Sequence, residues 1–262
     1  MRGVGQPGRP PGLGPGSRWF KSNRPDQKMA KNFYRYFNYH YWLRKFYFSL
    51  IFQKYFFISK SKKRKIVFNS IYKSFHWRDY KKTGENESVS GLGSDLDVCE
   101  KIIKGLTLFI EENKIRSILD LACGDFNWMK FVVKNNPNIE NYCGVEIVDE
   151  IVSNNNKKYS NEKIKFICKD VIKEELPFNY DLVVARDFFI HIKNDEIKKV
   201  IEKIKKSNAK FFGINNYPVQ NNVDLKAFGH HRHINIEVEP FSLNKPYLKL
   251  NDYDRKFNIY KI

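Results

Sequence analysis

"ILDLACGDFNWM", residues 118–129, is an apolar run that ends on Asp120, Leu121 and Ala122 and then turns at a single glycine, Gly124. With residues 115–117 its apolar half predicts a short buried strand ending in a turn. "FNWMKFVVKNN" then predicts a helix stopped by Pro137. The same alternation runs outward in both directions. Upstream, "LDVCEKIIKGLTLFIEE" (96–112) repeats apolar residues at helical spacing. Downstream, strands are expected at 142–148, 163–170, 180–187 and 210–217, with helices at 149–159 and 194–207, the last behind an Asn194 cap. Strands and helices alternating at this length imply right-handed crossovers and an α/β fold, its mostly parallel sheet doubly wound and covered on both faces. "HINIEVEPF" (233–241) and "RKFNIYKI" (255–262) predict two more strands with no helix between them, hence an antiparallel C-terminal edge hairpin.

The 262 residues carry a net charge of +18, distributed unevenly. Residues 1–78 hold 18 Lys and Arg against one acid, Asp26, which leaves +1 for residues 79–262. Three regions follow: a Gly/Pro-rich stretch, 1–18, whose composition predicts disorder; a basic aromatic N-terminal arm, 19–78; and a globular domain, 79–262. Three readings of the arm stay open: a contact surface for an anionic membrane or RNA, an acid-poor organelle presequence, or helices that pack on the domain. The apolar stretch 46–58 contains Lys54 and is shorter than the roughly 20 residues of a bilayer span. Four cysteines at least 20 residues apart form no CxxC pair, so neither a zinc knuckle nor a redox dithiol is expected. A reduced compartment fits; the cytoplasm is the expected location, and an organelle is the alternative that the acid-poor N-terminus suggests.

In open α/β sheets ligands lie beyond the carboxyl ends of the strands. Those ends carry Asp120, Glu146, Asp170 and the pair Arg186 and Asp187. Glu146 falls 26 residues after Asp120, close to where an adenosine ribose needs a carboxylate acceptor. A dinucleotide would also set its pyrophosphate against the first helix N-terminus, where glycines permit close approach. Here Ala122 and Phe126 stand at positions that prefer glycine, and Asp125 would place a carboxylate beside the diphosphate. That argues against NAD. S-adenosylmethionine has no phosphate and carries a sulfonium cation, so Asp120, Gly124 and Asp125 suit it, with Glu146 and Asp170 completing the site.

Together "ILDLACGDFNWM", "YCGVEI", "FICKDV" and "DLVVARDFFIHI" resemble the first four motifs of the class I S-adenosylmethionine-dependent methyltransferases, in order and spacing, over about residues 85–262. More narrowly, "SGLGS", "CGDFNWM", "RDFFIHI" and the tail around "GHHRHINI" resemble a group of small bacterial-type methyltransferases. The resemblance implies a Rossmann-like fold, with Asp120 and Gly124 against the methionine moiety, Glu146 on the ribose, and Asp170 with Val171 flanking the adenine. Ala122 and Phe126, in place of glycines, depart from the pattern. The resemblance implies methyl transfer, and a small polar molecule is the expected acceptor. Methylation of RNA or protein with help from the basic arm, and a membrane-peripheral module without turnover, are the alternatives.

Methyl transfer from a sulfonium is an in-line displacement that needs alignment, exclusion of water and, for some acceptors, a base. His191 in "RDFFIHI" is the candidate base, its alternative role being to pack the following helix. Asp187 is the second catalytic candidate, and Arg186 is expected at the cofactor; a pair that only fixes the loop is the competing reading. "GHHRHINI" (229–236) crowds three histidines into four residues without a helical i, i+4 pair or a carboxylate partner, so no metal is expected. Arg232 is instead expected to hold an anionic group of the acceptor, and Trp77 to cover the acceptor or anchor the arm. "SGLGSD" (90–95) reads as a lid hinged at Gly91 and Gly93, or as a linker.

Overall fold

The computed structural model describes residues 59–74, 76–77 and 87–262, and the stretch 1–18 and most of the basic arm, including 46–58, lie outside them. Residues Ile58–Ile262 form one compact unit. In chain order its helices and strands are α1 (Lys60–Lys73), α2 (Leu96–Glu112), β1 (Ser117–Leu121), α3 (Met129–Asn135), β2 (Asn141–Glu146), α4 (Asp149–Tyr159), β3 (Ile164–Cys168), β4 (Leu182–Ala185), α5 (Asn194–Lys205), β5 (Phe211–Asn216), β6 (Leu248–Asp252) and β7 (Arg255–Lys261). The strands form one sheet in the order β3-β2-β1-β4-β5-β7-β6. Strands β1 to β5 are parallel, and β7 and β6 close the edge antiparallel.

Strand alternation explains why both faces are covered. Leu119 and Leu121 of β1 join Cys143, Val145, Val183, Phe212 and Ile214 in one core, which α5 seals with Ile197, Val200, Ile201 and Ile204. Ile118 points the other way, into a second core with Tyr142, Leu182, Val184 and the α2 stripe Cys99, Ile102, Leu106, Phe109 and Ile110. After β3 the chain crosses back to lay β4 on the free side of β1, so β1 and β4 flank the point where strand order reverses. A crevice opens there. Among the described residues no helix is long and apolar enough to cross a membrane.

Three sequence expectations need correction. Residues 233–241 form turns instead of a strand; the hairpin partner of β7 is β6, and β7 lies between β5 and β6. Ile234 and Ile236 are buried as an alternating pattern demands, but their backbone groups bond to scattered partners and not to one neighbouring strand, the Ile234 carbonyl accepting the Tyr217 amide at 2.9 Å and the Ile236 carbonyl the Leu243 amide at 3.0 Å. Asn216 Oδ1 accepts the Ile236 amide at 2.6 Å, and Asn222 Nδ2 donates to the carbonyls of Asn235 and Glu239 at 2.8 Å each. Asn194 is not the cap of α5 but its first residue. Lys193 holds the cap position, its amide donating to Glu196 Oε2 at 3.1 Å, while Asn194 Oδ1 accepts from Arg232 Nη2 at 2.8 Å. Finally, α3 begins at Met129 because Phe126 is withheld from it: Phe126 lies at φ 60° with its ring buried among Tyr142, Tyr159 and Phe166.

Candidate functional site

The β1 turn keeps a glycine-type backbone at three positions with a single glycine. Ala122, Gly124 and Phe126 sit at φ 55°, 58° and 60°, every second residue in the left-handed region. Glycine is required at 124 for a packing reason as well, since a Cβ there would come within 2.3 Å of Ser90 Oγ. Beyond this turn lies a cavity of about 390 Å³, lined by residues from the ends of β1, β2 and β4, the segments after β3 and β5, the 90–94 segment, α1 and Trp77.

The structure brings Asp120, Gly124, Glu146, Asp170, Val171, Arg186, Asp187, His191 and Trp77 to this one cavity. Asp120 is buried and accepts the Tyr142 hydroxyl at 2.7 Å. Burial pushes its carboxyl up to about 7, against the opposing pull of that hydrogen bond. Glu146 accepts amides from Ile147 at 2.7 Å, Val148 at 3.2 Å and Gly124 at 3.3 Å, which orients the carboxylate, and burial raises it above its usual range. Asp170 bonds the Ile172 amide through Oδ1 at 3.0 Å and Arg64 through Oδ2 at 2.8 Å. Burial alone would raise Asp170, but hydrogen bonds from Ser61 and Arg64 hold it below its ordinary value.

At the end of β4 Arg186 Nη1 and Asp187 Oδ2 pair at 3.4 Å, and each takes further partners of its own. Arg186 reaches Asp252 with Nε at 3.0 Å and Nη2 at 2.9 Å, donates to the Gly93 carbonyl at 2.7 Å, and lies over the Trp128 ring. Asp187, at φ 55°, accepts Arg255 Nη2 at 2.7 Å, and the Tyr217 hydroxyl is 3.4 Å from its other oxygen. The 90–94 segment is thereby pinned from below, and Asn127 Nδ2 adds a bond to the Ser94 carbonyl at 3.1 Å. His191 Nδ1 lies 3.0 Å from the His230 carbonyl, which can only accept, so Nδ1 carries the hydrogen and Nε2 the lone pair. Its ring stacks on Trp77 at 4.9 Å and meets Phe68 and His231 edge-on. Burial lowers the imidazole to about 4, so it is neutral throughout the physiological range.

Two expected residues are not in the cleft. Asp125 spends both oxygens on the 88–90 segment, accepting Ser88 Oγ and the Val89 amide at 2.8 Å each. Arg232 turns each of its three nitrogens to the protein, Nη1 to the Phe189 carbonyl at 2.8 Å, Nε to the Val223 carbonyl at 3.2 Å and Nη2 to Asn194 Oδ1 at 2.8 Å. It braces the turn that carries His191, and His231 lines the cavity in its place. His233 stacks on Tyr217 at 4.3 Å. No group of three or more His, Cys, Asp or Glu able to hold a metal is present among the described residues. Sequence reading missed Arg64, Tyr72, Tyr217 and Arg255. Arg64 was hidden in the charge run "KSKKRK", and only the spacing of Val67 and Ile71 behind it signalled an inward face.

Residues 118–209 match a protein family described as a methyltransferase domain. The fold is a methyltransferase fold. Magnesium protoporphyrin IX methyltransferase from Synechocystis PCC 6803, solved with bound S-adenosylmethionine, superposes with a TM-score of 0.52 at 14% identity, covering 77% of this chain and 95% of that one. PigF, solved with S-adenosylhomocysteine, gives a TM-score of 0.51 at 15% identity over 63% of this chain and 56% of that one. Among curated proteins, phosphoethanolamine N-methyltransferase of Plasmodium falciparum (isolate 3D7) is 30% identical over 125 residues, 47% of this chain and 44% of that protein. The chain thus matches less than half of that relative's length.

Proposed function

We propose that this protein transfers the methyl group of S-adenosylmethionine to a small polar acceptor, with His191 as the base. One observation carries the donor assignment: Asp120 and Glu146, both buried, reach the same cavity from neighbouring strand ends, beside a turn with glycine-type geometry and no phosphate-binding run of glycines. A diphosphate would meet like charge there, whereas a sulfonium and an amino group gain from it. The residues fit the cofactor as follows: Glu146, with three backbone amides already on it, keeps a lone pair on Oε2 for a ribose hydroxyl, Asp120 faces the cationic end, and Val171 with Ile147 supplies apolar surface for the adenine. When bound, the cofactor supplies the electrophilic methyl group.

The chain's own residues would do the rest. Trp77, Phe68 and Tyr72 exclude water, and His191 Nε2 takes a proton from the acceptor while His230 fixes the ring through Nδ1. The cavity volume suits a small molecule. The aromatic lining favours an amine acceptor, on whose nitrogen positive charge develops as the methyl arrives and until the proton passes to His191, in line with the reaction named for the Plasmodium relative. Calorimetry with S-adenosylhomocysteine tests the donor reading. Binding is expected to be saturable and to weaken about 100-fold on Glu146→Ala, the worth of one strong charge-assisted hydrogen bond; a folded protein that binds nothing would refute it.

A further inference from the structure

One wall of the cleft comes from outside the segment that matches the methyltransferase family. Helix α1 presents Arg64, Phe68 and Tyr72 to the cavity, three residues at a spacing of four and therefore on one helical face. The helix is tied down at both ends of that face. Arg64, only 3% exposed, reaches Asp170 Oδ2 through Nη2 at 2.8 Å and Glu196 Oε1 through Nη1 at 2.6 Å. Two turns further on, the Tyr72 hydroxyl lies 3.2 Å from Ser90 Oγ, which accepts the Asp125 amide at 3.0 Å beside Gly124. Arg64 and Tyr72 are about 12 Å apart along the axis, so the tethers fall at the adenine-side and methionine-side limits of the cleft. Val67 and Ile71 lock the helix against Gly229, where an added Cβ would come 2.9 Å from Val67 Cγ1 and 3.0 Å from Ile71 Cδ1.

A buried guanidinium shared by two carboxylates leaves both stranded if it withdraws. We propose that Arg64 is a positioning residue for the cofactor: it fixes Asp170 at the end of β3 and clamps α1 over the cleft through Glu196 on α5, so that docking of α1 and binding of the cofactor are coupled. The inference rests on the donor assignment made above. Coupling is reciprocal, so whatever factor docking adds to affinity, the ligand returns to docking.

Two measurements on the full chain test it. S-adenosylhomocysteine should slow hydrogen exchange across residues 63–73 in the wild type. Arg64→Leu and Glu196→Gln should each weaken its binding roughly tenfold, with Arg64→Lys recovering part of the loss. Failure of the folded wild type to bind overturns this proposal and the donor assignment together. Normal wild-type binding combined with exchange in 63–73 that ignores the ligand, or with an affinity of folded Arg64→Leu within about twofold of wild type, overturns the role of Arg64 alone. Should Arg64→Leu not fold, the wild-type exchange experiment and Glu196→Gln still decide it.

Discussion

The half of the cleft proposed for the donor takes Asp120, Glu146 and Asp170 from the ends of three adjacent parallel strands, whereas the half proposed for the acceptor gathers Trp77, His191, Tyr217 and His231 from segments with no common repeat. Topology makes the first half, because each parallel strand of a doubly wound sheet delivers its end to the same edge. Cross-links between loops make the second: Arg186 to Asp252 and Gly93, Asp187 to Arg255, Arg232 to Phe189 and Asn194. Removing a donor carboxylate should therefore cost binding while the fold survives. Removing a loop arginine should cost the fold itself.

Arg186→Met tests that contrast most severely. It strands Asp252, which is 0% exposed, with Asn215 Nδ2 at 2.6 Å and the more distant Arg255 as remaining partners. Losing one partner of a buried pair costs about 3–5 kcal/mol, and a loss of that size is expected in denaturant unfolding. A loss below about 1 kcal/mol, the range of exposed pairs, would remove the distinction between the halves.

His191→Ala addresses the acceptor half alone. The rate should fall about 100-fold, the lower end for a general base, with S-adenosylhomocysteine affinity unchanged. Because burial holds the folded imidazole at about 4, the wild-type rate should be flat through neutrality and decline only as pH approaches that value. The unfolded chain protonates nearer the ordinary 6.5, so His191 contributes stability that is complete above 6.5 and lost as pH falls from there to about 4. An equal loss of cofactor affinity in the alanine variant would show that His191 braces the site and does no proton transfer.

The same contrast governs what the sequence revealed. Strand ends are local features, so the register of apolar runs located Asp120, Glu146 and Asp170 before any contact was known. Arg232 and Asp125 carry the right chemistry for a site, and only tertiary geometry shows that backbone carbonyls and the 88–90 segment consume it. Arg64 failed in the opposite direction, since a lysine-rich run reads as a solvated face while one member of it is buried between two acids. The false strand at 233–241 has a similar origin, because alternation reports burial of Ile234 and Ile236 and not who satisfies their backbone.

On the donor side, Asp120 gives a smaller effect, visible as a pH dependence. With its carboxyl held at about 7, ionisation between pH 6 and pH 8 should strengthen S-adenosylmethionine binding about tenfold, and Asp120→Asn should flatten the profile. The stability contribution has the opposite sign. A folded pKa above the unfolded one favours the native state fully below about 3.8, and that benefit is lost as pH rises through 7. The neutral form thus suits the fold and the charged form suits the ligand. A binding profile with no inflection near neutrality would detach Asp120 from the cationic end of the cofactor.

The smallest effect returns to the β1 turn. Ala122 holds φ 55° where a side chain is strained, and unlike Phe126 it has no aromatic cluster to offset that strain. Ala122→Gly should therefore stabilise the protein by about 0.5–1 kcal/mol, the strain relieved exceeding the entropy glycine adds to the unfolded chain. Phe126→Gly relaxes the same backbone region but empties a core position, so it should destabilise. If both variants lose stability, the left-handed geometry is not the source of strain at 122, and the side chain at 126 is held by its packing against Tyr142, Tyr159 and Phe166.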